Sequence, residues 1–180
     1  MNKIRLVTSR AIDQIIQEME RASTIYILTS FAMKSGIELL VPYLRQAKER
    51  GAEIKLLTGD YLFITQPEAL KMISEMEDVL EARLWRSGGV SFHPKAYLFE
   101  RSGSGGAMMV GSSNLSRSAL TMVWNGACLS IHRLHFRYTK RRLKRIWRCF
   151  TMKILFRLIR RRQRNTNDRI RSTIGSIRIW

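Results

Sequence analysis

Hydrophobic and polar positions follow one another along the first half of the chain in blocks that predict helices and strands in turn. Apolar side chains recur at helical spacing over residues 12–19, and Ser9 stands where an N-terminal cap is expected. The β-branched, apolar run 24–29 predicts a buried strand. The later blocks predict a helix over 36–50 stopped by Gly51, a strand over 52–57, a helix over 67–76 opened by Pro67 and a strand over 79–85.

Two short apolar runs then follow, over 92–99 and 107–110, and a glycine- and serine-rich stretch joins them as in a hairpin. The order of elements predicts an α/β fold with a mixed, mostly parallel sheet flanked by helices. In such sheets ligands gather beyond the carboxyl ends of the strands. Five polar residues are expected there: Ser30, Lys34, Thr58, Asp60 and Tyr61.

The hairpin carries residue types that suit an attack on phosphate. His93 and Lys95 are two positions apart, so on a strand both side chains point to one face. An imidazole serves as nucleophile or general acid near neutral pH, and a lysine supplies positive charge for phosphoryl oxygens. Ser112 and Asn114 follow the second apolar run and add neutral donors, and Glu100 is a carboxylate that could orient the imidazole.

This arrangement resembles the phospholipase D superfamily, whose signature is H-x-K-x4-D followed by G-S-x-N. Here the signature stands as His93-Pro94-Lys95, four residues, Glu100, and then Gly111-Ser112-Ser113-Asn114. Glutamate replaces the more common aspartate, and a longer loop separates it from the G-S-x-N element. The run L-L-T-G-D-Y-L and the following P-E-A-L also resemble the branch attached to bacterial helicases and restriction-type proteins.

The resemblance implies a phosphodiesterase or nuclease that acts through a covalent phosphohistidine on His93 without a metal or another cofactor. It implies catalytic roles for Lys95, Glu100, Ser112 and Asn114. We expect Ser30, Lys34 and Ser113 to contact the substrate. Because the superfamily uses two such motifs in each active site and this chain holds one, a homodimer is expected. The expected partner is nucleic acid, DNA before RNA, and no membrane.

Charge changes sharply after residue 120, which we take as the end of the phospholipase D-like domain. Residues 1–120 hold 15 Lys and Arg and 13 Asp and Glu, whereas residues 121–180 hold 17 Lys and Arg and one acid, Asp168. Three explanations fit a basic tail: an arm that binds nucleic-acid backbones, an amphipathic helix over 146–159 for anionic lipid, or translation out of frame.

The third explanation depends only on the genetic code. The superfamily branch continues after its A-L pair with a segment like T-N-G-x-E-W, whereas residues 121–127 read T-M-V-W-N-G-A. Their codons are ACN-ATG-GTN-TGG-AAY-GGN-GCN. Translation from the third base of the first codon permits Asn, requires Gly, gives Leu, Met or Val, requires Glu and permits Trp. We therefore hypothesise that one base was lost near the codon for Thr121 and that the tail is aberrant or partly disordered.

Other sequence features narrow the class of protein. Two cysteines without a C-x-x-C pair indicate no disulfide framework, and the N-terminal residues do not resemble a signal peptide. A run of apolar residues long enough for a membrane span is lacking, so a cytoplasmic location is expected. Two alternatives to catalysis stay open: a non-catalytic nucleic-acid-binding or dimerisation module of a helicase or restriction-type protein, and an inactive truncated remnant.

Overall fold

The alternating blocks of the sequence form the helices and strands of one sheet-based fold in a computed structural model, which describes residues 3–103, 105–122 and 126–132. In chain order the elements are β1 (Lys3–Val7), α1 (Ala11–Met19), β2 (Thr24–Thr29), α2 (Lys34–Glu49), β3 (Glu53–Gly59), α3 (Pro67–Ser74), β4 (Glu81–Trp85), β5 (Lys95–Glu100), β6 (Gly106–Gly111), α4 (Arg117–Thr121) and β7 (Ala127–His132).

Most predicted elements lie where the pattern indicates, and their ends differ by a few residues. β2 has the predicted bounds, and Gly51 ends α2 with a left-handed φ of 84°. The predicted cap at Ser9 is wrong. α1 begins at Ala11, so Arg10 occupies the N-cap position with φ 46°, and its guanidinium pairs with Asp13 at 2.7 Å. A charged pair across the first turn thus stands where a side-chain cap was expected.

The seven described strands form one sheet in the order β1-β7-β6-β5-β2-β3-β4. This confirms the predicted mixed α/β sheet flanked by helices, but the expectation that the sheet is mostly parallel is wrong. Parallel pairing is confined to β2, β3 and β4, which helical crossovers connect. The other four pairings are antiparallel, because β5 enters beside β2 through a loop and continues into the β5–β6 hairpin.

The sheet continues beyond residue 120, where the sequence predicted the domain to end. β7 lies between β1 and β6 and pairs with both, so that Ala127 stands opposite Val7 and Gly111. Leu129 is buried and Ile131 packs against the core. Residues 133–180 lie outside the described part of the chain, and with them the basic runs and the segment 146–159.

The four α-helices of the described residues cover the same face of the sheet. Their buried side chains share one cluster with alternate residues of the strands, among them Ile25, Ile27 and Phe99. The opposite face holds a smaller cluster formed by Tyr26, Leu28, Leu57, Phe92 and Leu98.

An apolar strip lies beside the smaller cluster, on the face that the four helices leave uncovered. Ile4, Leu6 and Val110 are 75 %, 69 % and 45 % exposed. The exposed Cys128 lies between the last two, because it pairs with Leu6 on one side and with Val110 on the other. We call Ile4, Leu6, Val110 and Cys128 the apolar strip.

Candidate active site

The polar residues of the motif meet at one end of the sheet because four strand ends lie side by side there. β2 and β3 end at this edge, β5 begins at it and β6 ends at it. The register places Thr29 opposite Lys95 and Ala96 opposite Val110. The residues just beyond β2, before β5 and after β6 therefore become neighbours, although more than eighty positions separate the first from the last.

Hydrogen bonds join four of the predicted site residues. The Lys95 ammonium donates to Ser30 Oγ at 3.1 Å and contacts His93 Nδ1 at 2.8 Å. Ser30 Oγ in turn donates to Asn114 Oδ1 at 2.7 Å. His93 is exposed and Asn114 half-buried, so both reach the surface, whereas Ser30 is buried. This group brings an imidazole, a cation and an amide together at one solvent-accessible point.

The environment of Lys95 favours a less basic amine than an ordinary surface lysine. Burial of the side chain lowers the pKa of Lys95, because removal from water penalises the charged form. A protonated Lys95 can only donate, so its contact with His93 takes the lone pair of Nδ1 and leaves the ring proton on Nε2. Attack through Nε2 then requires that the proton first moves from Nε2 to Nδ1.

The serines of the G-S-S-N segment have different surroundings. Ser112 is exposed, and its backbone N–H donates to the carbonyl oxygen of Gly126 at 3.3 Å. Ser113 is 3 % exposed, and its hydroxyl makes no hydrogen bond within the described residues. Ser112 therefore lies at the solvent edge of the site, while Ser113 is buried.

Glu100 lies far from His93, which contradicts its predicted role in orienting the imidazole. It ends β5 opposite Thr24, whereas Lys95 begins the same strand, so roughly 17 Å separates their Cα atoms. Side chains alternate along a strand, and an odd offset of five also places Glu100 on the other face from Lys95. The carboxylate lies near Tyr26, where burial first and the charge of Glu100 second raise the phenol pKa to about 12.

The ammonium of Lys34 also lies apart from the group around Lys95. It pairs with Glu38 at 3.5 Å along the exposed face of α2, and its backbone N–H donates to Gln66 Oε1 at 2.7 Å. The first turn of α2 does approach the site through its backbone. Met33 N–H donates to the carbonyl oxygen of Leu115 at 2.9 Å, directly after the G-S-S-N segment.

Gly36 permits this close approach of helix and loop. A Cβ built on Gly36 would lie 2.2 Å from the carbonyl oxygen of Leu115, which is backbone and has little freedom to move. Leu115 is further held by its N–H, which donates to Thr29 Oγ1 at 3.3 Å. The loop that carries Asn114 is thus pressed between β2 and α2.

Sequence reasoning missed the aromatic packing next to His93, although it expected Asp60 at this end of the sheet. Phe92 stacks on Trp85 with ring centroids 5.5 Å apart, and its ring covers Gly59. Asp60 accepts a hydrogen bond from the N–H of Ser87 at 2.6 Å. The segment 58–60 looks like an ordinary turn in the sequence. The only available signal was an aromatic residue directly before the histidine.

The profile of the family described as "Cardiolipin synthase, PLD-like domain" matches residues 15–147. A search of curated proteins found no match.

Three solved structures with a similar fold illustrate its range. Nuc of Salmonella typhimurium, a phospholipase D family member, superposes with a TM-score of 0.57 at 16 % identity, over 81 % of this chain and 91 % of Nuc. NucT of Helicobacter pylori gives 0.54 at 10 % identity, over 72 % and 86 %. Phosphatidylserine synthase of Haemophilus influenzae Rd KW20 gives 0.59 at 17 % identity, over 79 % of this chain and 37 % of that enzyme. At these identities the likeness concerns the fold.

One further finding concerns membranes. Among the described residues, no helix combines the length and the apolar character that crossing a bilayer requires.

Proposed function

The chain belongs to the phospholipase D-like domain family, and from that premise we propose that it is a phosphodiesterase that cleaves nucleic acid through His93. The observation that carries the proposal is the contact of Lys95 with both His93 and Ser30, and of Ser30 with Asn114. A phosphate beside His93 would meet the Lys95 ammonium, the Asn114 amide and the exposed Ser112.

The proposed reaction has two displacements at phosphorus. In the first, a ring nitrogen of His93 forms a P–N bond while the P–O bond to the leaving alcohol breaks, and a second imidazole gives that alcohol a proton. In the second, water attacks phosphorus, the P–N bond breaks and the second imidazole takes the proton of the water. Lys95 and Asn114 hold the phosphoryl oxygens through both steps. The mechanism needs no metal ion, and Glu100 has no part in it.

The assay uses single- and double-stranded DNA and RNA with EDTA present. Wild-type protein is expected to cleave DNA, His93→Ala to lose cleavage, and the matched control Ser91→Ala to retain it, because Ser91 is exposed on the same loop. Cleavage that EDTA abolishes, or that survives in His93→Ala, would exclude the phosphohistidine mechanism. Turnover of phospholipid vesicles in place of DNA would exclude a nucleic-acid substrate.

The second imidazole of this reaction is proposed to come from a second copy of the chain. The chain holds one H-x-K motif, and the apolar strip reaches the site end of the sheet, since Val110 pairs with the neighbour of Lys95. Exposed apolar surface of this kind marks an interaction site. We propose that the apolar strips of two copies pack together and bring the two His93 residues into one site.

The dimer is tested by Val110→Glu, which places a charge in the strip and leaves the contacts of Lys95 intact. Analytical ultracentrifugation is expected to show wild-type dimers and variant monomers, and cleavage is expected to fall with dimer content. Met122→Glu serves as the control, because Met122 is 78 % exposed and lies outside the strip. A wild-type monomer that cleaves DNA would contradict the dimer.

The altered reading frame remains part of the proposal. A shifted frame would restore a glutamate within a few residues of Gly126, whose carbonyl oxygen accepts the N–H of Ser112. A carboxylate at that end of the sheet could take the role that Glu100 is too distant to fill. Sequencing the locus tests the idea: an uninterrupted frame through residues 121–180, shared by close relatives, would exclude it.

One alternative function is favoured by a specific observation. The net charge of +16 in residues 121–180 suits binding to nucleic-acid backbones without catalysis. As a non-catalytic module of a helicase or restriction-type protein, the chain would bind DNA equally well with and without His93 and cleave none. An inactive remnant would instead be poorly folded, and it would neither cleave nor bind with a defined stoichiometry.

A further inference from the structure

The loop that carries His93 is held against the end of β3 by an aromatic ring that lies on a glycine. Phe92 is only 7 % exposed and stacks on Trp85. A Cβ built on Gly59 would lie 2.5 Å from Phe92 Cδ1 and 3.3 Å from the carbonyl oxygen of Ser30. The ring therefore occupies the space that any larger residue at position 59 would need.

Local restraints alone do not determine where His93 lies over the sheet. Residues 91–94 belong to no strand, and β5 begins only at Lys95. Pro94 has a fixed φ and keeps His93 in extended backbone, which limits its conformation but not its distance from β2 or β6. The packing of Phe92 is a long-range contact of this loop, and it joins the residue directly before the histidine to β3.

The surface that receives Phe92 is itself firmly held. Asp60 accepts from the N–H of Ser87 at 2.6 Å and pairs with the Arg86 guanidinium at 3.3 Å, which ties the end of β3 to the segment after β4. On the other side, Thr65 Oγ1 donates to the carbonyl oxygen of Gly59 at 2.5 Å. A side chain positioned on such a support keeps its geometry better than one on a free loop.

We propose that Gly59 is a positioning residue: by leaving room for the Phe92 ring, it sets the place of the His93 imidazole relative to Lys95 and Asn114. The proposal rests on the proposed function, because it treats His93 as the nucleophile. It adds that the nucleophile is placed by a packing contact outside the H-x-K motif.

Gly59→Ala is the direct test. The added methyl group would displace Phe92 and move His93 by on the order of an ångström, so kcat on DNA is expected to fall about 100-fold. KM is expected to change little, because Lys95 and Asn114 stay in place. Gly126→Ala is the matched control: a Cβ there meets nothing within 4 Å, and wild-type rates are expected.

A second substitution separates positioning from a general loss of structure. Phe92→Leu removes the ring and leaves space for the methyl group. We expect Phe92→Leu alone to lower kcat several-fold and the Gly59→Ala/Phe92→Leu protein to recover much of the rate lost in Gly59→Ala. If the Gly59→Ala protein does not fold, the Phe92→Leu protein is the test. A wild-type kcat in Phe92→Leu would then overturn the proposal.

An observation independent of activity distinguishes the two proposals. In histidine-labelled protein, the NMR signal of the His93 ring, assigned by its absence in His93→Ala, is expected to move in Gly59→Ala and to return toward its wild-type position in the double variant. If these shifts occur but the wild type cleaves nothing, the proposed function fails and the positioning role stands. An unmoved His93 signal together with an unchanged kcat overturns the positioning role.

Discussion

At the scale of single residues, one hydroxyl group connects the two halves of the motif. Ser30 is 1 % exposed and uses both of its hydrogen-bonding capacities, since it accepts from Lys95 and donates to Asn114. Because Asn114 Oδ1 faces Ser30, the amide nitrogen is left to donate elsewhere. The hydroxyl thus orients a cation and an amide at once.

Ser30→Ala is expected to lower kcat/KM for DNA by about tenfold to a hundredfold, the usual effect of losing hydrogen bonds to charged or buried groups. Ser30→Thr keeps the hydroxyl and is expected to recover much of the rate. Ser113→Ala is the control, because the Ser113 hydroxyl makes no hydrogen bond within the described residues. Equal losses in Ser30→Ala and Ser113→Ala would contradict an orienting role for Ser30.

The loss of charge from the Lys95 ammonium is expected to set the alkaline limit of activity. The phosphate-binding form is the ammonium, and burial lowers its pKa below the usual 10.5, so the charge is lost at a lower pH than in an exposed lysine. We expect kcat/KM to fall as pH rises through this lowered pKa. The measurement is a pH–rate profile at constant ionic strength. Lys95→Arg stays charged throughout and should show no such fall; a flat wild-type profile up to the ordinary lysine range would refute the prediction.

The residue scale also shows why one sequence interpretation was wrong. Side chains alternate along β5, so Glu100, five residues after Lys95, lies on the other face of the strand from Lys95. The family signature suggested a catalytic carboxylate, whereas strand geometry alone excluded it. Lys34 and Ser113 differ from this case. The Lys34 ammonium pairs with Glu38 and the Ser113 side chain is buried, and neither contact can be read from the sequence.

At the scale of secondary-structure elements, the contact between α2 and the loop after β6 supports the site. Gly36 lies in the first turn of α2 and faces the carbonyl oxygen of Leu115, immediately after Asn114. In an open helical position glycine is less favourable than alanine by roughly 1 kcal/mol. Here the added methyl group would meet fixed backbone, so the sign of the effect should reverse.

Gly36→Ala is accordingly expected to lower the free energy of unfolding by about 1–3 kcal/mol, the usual range for overpacking. Urea denaturation followed by circular dichroism measures it. Lys34→Ala, an exposed change in the same turn, should stay within about 0.5 kcal/mol of wild type. A Gly36→Ala protein more stable than wild type would disprove the close approach.

Element patterns predicted much of the fold, with instructive omissions. Amphipathic spacing identified α1, α2 and α3, and apolar runs identified β2 to β6. β1, α4 and β7 were missed. β1 is short, and the apolar residues of its alternating pattern, Ile4 and Leu6, are the exposed ones. β7 lies in a stretch whose composition suggested a disordered tail. The antiparallel entry of β5 beside β2 depends on long-range pairing.

At the scale of the whole molecule, residues 121–180 carry most of the net positive charge and are the segment that the hypothesis of a shifted reading frame concerns. The net charge of +16 there exceeds that of the preceding 120 residues by far. DNA affinity is therefore expected to fall steeply with salt, since each phosphate neutralised adds about 0.9 to the slope of log K against log salt. Removal of residues 133–180 should weaken binding and flatten that slope in fluorescence-anisotropy titrations. An unchanged slope would assign DNA binding to the domain itself.

The frame hypothesis makes its own quantitative prediction. Inserting one base at the codon for Thr121 should restore a glutamate close to Gly126 and hence to the site. A carboxylate on His93 Nδ1 would keep Nε2 unprotonated and raise kcat by about 100-fold or more over the present chain, as general-base partners do. Single-turnover cleavage by both proteins is the measurement, with truncation after residue 132 as the control. A restored chain no faster than the present one would contradict the hypothesis.

The sequence by itself determined the α/β class, most helices and strands, and the residue types of the site, because hydrophobic period and local motifs act over short distances. Only the tertiary structure decided which of those residues meet. Strand pairing brings Ser30 to Lys95 and Asn114 from distant positions, and packing places Phe92, the residue before His93, on Gly59. Such contacts depend on the three-dimensional path of the chain, which no local pattern records.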